Sequence, residues 1–488
     1  MGEPARVGAL GLVGIILVVL TAGRLARQPL AVPPTTWAGL LNRVDLTRPS
    51  LLPAALLAGV ALMLLAWWRA WYLADHGLLS ARQATVLLVC WMVPLTIGPP
   101  ILSLDVYSYA AHGTMLAAGL DPYQLAPVAL PPGSQALAAV DPMWRSVLAP
   151  YGPLAMAAFR AAYQITGGSL IGVVLVLRGL AAGGIALIAT GVAYAAPPGR
   201  RAQALAAGAL NPIVIFQLFG AIHLEATMVG LLVAGLWATQ RNRPVLGLML
   251  LTAAAAIKWP AFLAVVVVIV WRAAGADTAL PAGRGRVLWT AVRDLAVVGT
   301  VTAAMSLLVP DGFGWLRATG TPTAGPTQYS PTSIVADVLG RLTAVLSGVT
   351  PAGGTLLTIA HVAGAAAFVV IVGWLLVTVR SRSLTATAGW ALIALAGLGP
   401  VLHPWYLTWG LVPLAIAPTA RGRSGVLVVT VAGTFLAIQH CSLLLADRPS
   451  LLQWLRGNAA MVAIGGYAAA VVVVAVVNRR RRAAASLP

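Results

Sequence analysis

Apolar residues recur along the chain in blocks close to the ~20 residues an α-helix needs to cross a hydrocarbon core. Read on that scale, the pattern predicts about fourteen spans, at 7–23, 51–71, 85–102, 170–196, 202–222, 226–239, 245–257, 259–271, 287–309, 356–379, 385–401, 406–417, 425–444 and 455–477. An even number puts both termini on one side. The segment 149–166 is short and carries Arg160, Tyr163 and Gln164, so it reads as a helix lying at the interface rather than crossing. The two blocks within 245–271 read as short helices that turn at Lys258, Trp259 and Pro260.

Composition supports that reading. Hydrophobic residues make up 60% of the 488 positions and charged residues 9%, with a mean hydropathy of +0.90. A soluble chain must cover its core with more polar groups than this. The fold class is therefore all-α, a polytopic membrane protein forming one module over 1–488. Arg6 precedes the first apolar run, which reads as an uncleaved helix because many spans follow it.

The formal charge of +19 invites a nucleic-acid partner, but the arginines fall in short clusters between apolar blocks. The positive-inside rule and anionic lipid account for such clusters, and no basic domain stands apart. With both termini cytoplasmic at the plasma membrane, Arg200 and Arg201, Arg241 and Arg243, Arg272 to Arg293, Arg380 and Arg382, Arg421 and Arg423, and Arg479 to Arg482 all fall inside. The loop 24–50, with four arginines outside, is the exception. Cys90 and Cys441 lie within apolar runs as small core hydrophobes, and no metal-ligand spacing is present.

The same threading sends most acids outward. Asp45, Asp105, Asp121, Asp141, Glu225, Asp311, Asp337 and Asp447 come out on the outer face with His112, His223, Lys258 and His403. A transporter would more often hold such groups at the bilayer midplane, in the broken helices of a repeated unit. Two long outer segments, 103–168 and 310–355, differ in length and composition, and the second carries "GPTQYSPTS", a candidate lid.

Five stretches carry the chemistry. In "DVYSYAAHGTMLAAG" a helical period sets Asp105, Ser108, Tyr109 and His112 on one face and Val106, Ala110, Thr114 and Ala117 on another, with Gly119 as the C-cap. The expectation is an interfacial helix that rests on lipid by its apolar side. Asp105 reads equally as the N-cap of that helix. In "NPIVIFQLFGAIHLEATM", His223 and Glu225 sit at a hairpin, where Glu225 reads equally as a partner of the helix dipole. Lys258 of "AIKWPAF" is the single lysine, either a counter-charge for phosphate or a snorkelling interfacial residue. His403, Trp405 and Tyr406 of "GPVLHPWYLTWG" combine a histidine, a proline and aromatics at a span end, more than an aromatic belt requires. The fifth is the polar "GPTQYSPTS".

Taken in order, "LDVYSYAAHGTMLAAGLDPY", "APYGPL", "NPIVIFQLFGAIHLEA", "AIKWPAF", "SPTS" and "LHPWYLTWGLVPL" cover nearly the whole chain. The set resembles the actinobacterial polyprenol-phosphomannose-dependent α-1,6-mannosyltransferases of lipomannan assembly, which are GT-C glycosyltransferases. The resemblance implies an inverting enzyme that takes mannose from β-linked polyprenyl-monophosphate-mannose on the outer face and passes it to the 6-hydroxyl of a mannan acceptor. It implies one carboxylate base, matched by Asp105, with no metal and no further cofactor. Many relatives place an acid or an arginine beside that base, whereas this chain has Leu104, which leaves open whether His112, Asp121 or Glu225 supplies a second contact. On this reading Lys258 and His403 hold the donor phosphate. Tyr109, His112, Asp121, Tyr123, Tyr151, His223, Glu225, Trp405 and Tyr406 line the sugar sites. The alternatives are transfer of another sugar such as arabinofuranose, and, in another class, a polyprenyl-glycolipid transporter or flippase.

Overall fold

The computed structural model describes residues 2–25, 51–275, 283–317, 330–348, 353–416 and 420–440, and no strand occurs among them. The longer helices are α1 (Glu3–Leu25), α2 (Leu51–Asp75), α3 (Ala81–Ile97), α4 (Asp105–Ala117), α5 (Pro153–Thr166), α6 (Leu170–Ala195), the short α7 (Arg201–Ala207), α8 (Glu225–Gln240), α9 (Pro244–Ala255), α10 (Phe262–Ala273), α11 (Arg284–Ser306), α12 (Pro331–Ser347), α13 (Gly353–Val377), α14 (Leu384–Leu398), α15 (Thr408–Ile416) and α16 (Ala420–His440). Short 3-10 turns and a π-helix, Val214–Gly220, connect several of them.

Five of these helices are long and apolar enough to cross a membrane, in α1, α2, α6, α11 and α13. A sixth crossing is available if the π-helix and α8, bent by 118°, form one broken span. Other predicted spans are shorter apolar helices. α9 has 12 residues, about 18 Å at 1.5 Å per residue, well below the ~30 Å hydrocarbon core. Length and composition alone thus do not reproduce the expected fourteen, and the span at 455–477 lies outside the described residues.

The predicted continuous span at 202–222 is broken. α7 ends at Ala207, and Asn211 followed by Pro212 interrupts the helix because the residue before proline is driven out of the α region. The buried Asn211 amide then donates to Ala207 O and, at 2.6 Å, to Thr430 Oγ1. A second break follows the π-helix, where Ile222 has φ +60° and His223 precedes the first turn of α8.

The expected interfacial helix on lipid is also corrected. Val106, Tyr107, Ala110, Ala111 and Met115 of α4 are all buried, so its apolar side packs on protein. Gly113 explains how closely α5 approaches, since a Cβ there would lie 2.4 Å from Phe159 O. The C-terminal end follows expectation: Gly119 has φ +77°, and Leu120 N donates to Met115 O at 2.9 Å, closing a Schellman-type turn. The segment 149–166 forms α5, whose apolar residues Ala155, Met156, Phe159 and Ala162 are likewise buried. Of the candidate lid, residues 325–329 lie outside the described set. The Ser330 that follows them is fully buried and caps α12 through Ser333 N.

Candidate active site

The turn from α3 into α4 and the breaks before α8, α10 and α15 lie at one end of the bundle, and their side chains converge. Ile101 N donates to Gly220 O at 3.0 Å, fixing the extended segment that leads into Asp105 against the end of the π-helix. Gly152 N and Leu154 N donate to Ile257 O and Ala256 O at 2.9 and 3.0 Å, which brings Tyr151 to the Lys258 turn. Only glycine fits in this pairing, because a Cβ on residue 152 would lie 2.2 Å from Ala256 O.

The pocket so formed is lined by Asp105, Ser108, His112, Trp144, Tyr151, Lys258, His403, Trp405 and Tyr406, with Val147, Leu148 and Pro150 from the long loop. The cavity volume is about 50 Å³. Asp105 opens α4 but does not cap it; Leu104 is the N-cap, no side chain caps the helix, and Ser103 Oγ instead accepts from Asp105 N. The carboxylate is left facing the pocket, with Oδ2 at 3.7 Å from His223 Nδ1. Burial raises the Asp105 carboxyl from 3.8 to about 6; the Lys258 charge opposes the rise and the Glu225 charge adds to it.

Lys258 is buried, so the snorkelling reading is overturned. Its Nζ lies 2.6 Å from Glu225 Oε1 and 4.7 Å from the centre of the Tyr406 ring. Glu225 is 1% exposed, and its direct partner is this ammonium. Among the described lining residues Lys258 is the one formal cation.

Aromatic rings complete the wall. His223 stacks on Trp405 at 3.8 Å, and His403 stacks on Trp405 at 4.5 Å, so one indole lies between two imidazoles. Tyr406 meets His403 edge-on and stacks on Trp409 at 4.3 Å. Behind Asp105, the Tyr109 hydroxyl lies 3.4 Å from His223 Nδ1, and its ring stacks on Phe159 at 4.9 Å. His112 faces the pocket with neither ring nitrogen hydrogen-bonded among the described residues, and burial lowers its titration from 6.5 to about 4, so the imidazole is neutral.

Most of the expected residues therefore meet: Asp105, His112, Tyr151, Lys258, His403, Trp405 and Tyr406 in the wall, with Tyr109, His223 and Glu225 behind it. Asp121 and Tyr123 do not line the pocket. Asp121 holds the following turn, accepting from Tyr123 N at 2.9 Å and Gln124 Nε2 at 2.8 Å. Tyr123 donates its hydroxyl proton to Tyr151 O at 2.9 Å and serves to brace that strand of the loop. Ser108, expected on the face of Asp105, and Trp144, which was not singled out, join the wall. The i, i+3 spacing from Asp105 marks Ser108, whereas Trp144 carries no local signal beyond lying in the long polar loop. No group of three or more His, Cys, Asp or Glu suited to a metal occurs among the described residues.

The site thus combines a buried carboxylate, one cation and a wall of aromatic rings at one end of an all-helical membrane bundle. Residues 5–274 match the family described as alpha-(1->6)-mannopyranosyltransferase, N-terminal domain, and residues 332–479 match the MptB C-terminal domain. The chain belongs to this alpha-(1->6)-mannopyranosyltransferase family. It is 31% identical to alpha-(1->6)-mannopyranosyltransferase A of Mycobacterium tuberculosis, over 90% of this chain and 84% of that one. It is 29% identical to a probable alpha-(1->6)-mannopyranosyltransferase of Mycolicibacterium smegmatis, over 88% and 82%. With alpha-(1->6)-mannopyranosyltransferase B of Corynebacterium glutamicum it shares 27% identity over 67% of this chain and 57% of that one. No solved structure matches the chain.

Proposed function

We propose that the protein transfers mannose, with inversion, from polyprenyl-monophosphate-mannose to the 6-hydroxyl of an α-1,6-mannan acceptor of lipomannan type, at the outer face of the membrane. The observation that carries this reading is the position of Asp105, whose carboxylate stands uncommitted to helix capping in a pocket shared with Lys258, His403 and Trp405. Asp105 takes the proton of the acceptor hydroxyl as its oxygen attacks the anomeric carbon. The bond from that carbon to the phosphate oxygen breaks, and its electron pair leaves with the polyprenyl phosphate. A carboxylate titrating near 6 is ionised at neutral pH and basic enough to accept the proton in the transition state.

Lys258 faces the developing phosphate charge. One of its three N–H bonds is directed at Glu225 and Tyr406 is a second neighbour, which leaves a donor for phosphate oxygens. His403, held flat on Trp405, supplies a further donor. Neutral His112 and the hydroxyl of Ser108, on the same face of α4 as Asp105, are placed to hydrogen-bond sugar hydroxyls. The site sits at the end of the bundle remote from the arginine clusters, which supports an outer-face assignment. The decisive experiment incubates purified protein with radiolabelled polyprenyl-phosphate sugars and a short oligomannoside. Mannose label in a lengthened α-1,6 product is the expected result; transfer of arabinose label alone, or of none, overturns the reading.

A further inference from the structure

A second and more polar cavity, of about 150 Å³, opens at the opposite end of the bundle. Its polar lining comes from Trp71 and Asp75 at the end of α2, Arg200 and Gln203 around the start of α7, and Arg423 of α16; the rest is apolar, including Leu414 and Ile416. α3 starts just past Asp75 and ends just before the segment leading to Asp105, and its 17 residues span about 25 Å. α15 repeats the relation, starting beside Trp405 and ending at Ile416 in the cavity wall. The two cavities are thus separated by the thickness of the helix layer.

The chemistry of this second cavity is that of an anion site. Two guanidinium groups face one carboxylate, so the lining carries a formal charge of +1. Arg423 Nη1 and Asp75 Oδ1 stand 3.9 Å apart, at the outer limit of an ion pair, and do not satisfy each other as a fork and carboxylate would. Trp71 is 2% exposed, and its indole N–H has no acceptor among the described residues. A buried donor without an acceptor is unfavourable, and an oxygen arriving from outside relieves it. Guanidinium forks match phosphate oxygens in two-point geometry, and Arg241, Arg380 and Arg382 at the same end add to the positive field.

We propose that this cavity binds a phosphate group between Arg200 and Arg423, with Trp71 as a further donor, on the side of the membrane opposite the sugar pocket. The apolar lining from Leu414, Ile416 and Val426 suits the acyl portion of an anionic lipid. The bound phosphate bridges the end of α2, the α6 to α7 link and α16.

Full-length protein is placed in phosphatidylcholine nanodiscs, with or without phosphatidylglycerol, or with inorganic phosphate added to the phosphatidylcholine discs. Thermal midpoints and phospholipid retained in native mass spectra are recorded. We expect phosphatidylglycerol to raise the midpoint and to be retained, with affinity falling about tenfold in Arg200→Gln or Arg423→Gln, as loss of a charge-assisted hydrogen bond implies. Trp71→Phe, which removes only the N–H, should weaken binding less, and Arg200→Lys should keep part of it. An equal response to inorganic phosphate supports the site and identifies free phosphate as its ligand. Absence of binding by both probes overturns the proposal, as does binding that is indifferent to Arg200 and Arg423 or is lowered as much by Arg241→Gln with Arg243→Gln.

Discussion

The Lys258 ammonium lies 2.6 Å from Oε1 of Glu225, with both side chains buried. Residues from two helix breaks are thereby joined near Asp105. Glu225 holds Lys258 toward the pocket, and each charge compensates the other's loss of water. Glu225→Gln should leave the ammonium buried without its partner and destabilise the fold by about 3 kcal/mol, the order seen when one member of a buried pair is removed. Lys258→Met with Glu225→Leu should recover much of that stability while transfer stays slow. Denaturation midpoints and transfer rates of the same preparations test both statements.

Asp105→Asn should slow transfer by roughly a hundredfold or more while donor binding persists, since the amide keeps the shape and cannot take the proton. It should also stabilise the protein. The folded carboxyl titrates near 6 against 3.8 in a free chain, so protonated Asp105 favours the fold. That contribution is complete below 3.8 and lost as the pH rises through about 6, a penalty of about 3 kcal/mol at neutral pH. Thermal midpoints at pH 7.5 should favour the Asn variant, and the difference should close toward pH 4. A less stable Asn variant at pH 7.5 contradicts this account.

The rate of transfer should fall on the acid side with a midpoint near 6, where Asp105 becomes protonated. The Lys258 charge lowers that titration and the Glu225 charge raises it. Lys258→Met should therefore move the acid limb upward and Glu225→Gln should move it downward. Profiles of kcat/KM for the residual activities decide it, and shifts of the same sign in both variants would be incompatible with the proposed pairing.

Gly152→Ala forces a Cβ to within 2.2 Å of Ala256 O. The strand of loop that carries Tyr151 must then move off the Lys258 turn. A loss of about 1 to 3 kcal/mol, typical of overpacking, is expected together with reduced transfer. Gly133→Ala, where nothing lies within 4 Å of the added atom, should leave transfer unchanged, although the φ of +86° imposes backbone strain.

Orientation is tested by single cysteines in a background lacking Cys90 and Cys441. Ala129→Cys, exposed in the long loop beside the pocket, should react with an impermeant reagent in intact cells, and Arg241→Cys should not. The reverse pattern removes the outer-face assignment.

The helices were largely legible in the apolar blocks, because the requirement for unbroken internal hydrogen bonding in lipid leaves few alternatives. The breaks were partly legible. Lys258-Trp259-Pro260 announced its turn through proline, whereas the π-helix at Val214–Gly220 has no proline or charge within it and follows from packing. The site residues could be gathered as a set from their common depth, but their partners could not. Glu225 and Lys258 are 33 positions apart, and nothing local to either indicates the other. Asp121 and Tyr123 were misplaced because an acid and a phenol in a polar loop look alike whether they hold a turn or a ligand. α4 misled for the same kind of reason, since an apolar face meant for protein has the composition of one meant for lipid.

The indole of Trp405 lies between His223 and His403, and these rings come from distant parts of the chain. A chain emerging from the ribosome has already laid down its carboxylate, its ammonium and the imidazoles of His112 and His223 when the first 274 residues are complete, yet lacks the indole against which His223 rests. Insertion of the later helices is the event that turns a set of polar groups into an enzyme. A product truncated after α10 is left with buried charges and a wall missing His403, Trp405 and Tyr406, and so is expected to be cleared by membrane proteolysis rather than to persist as a partially active form.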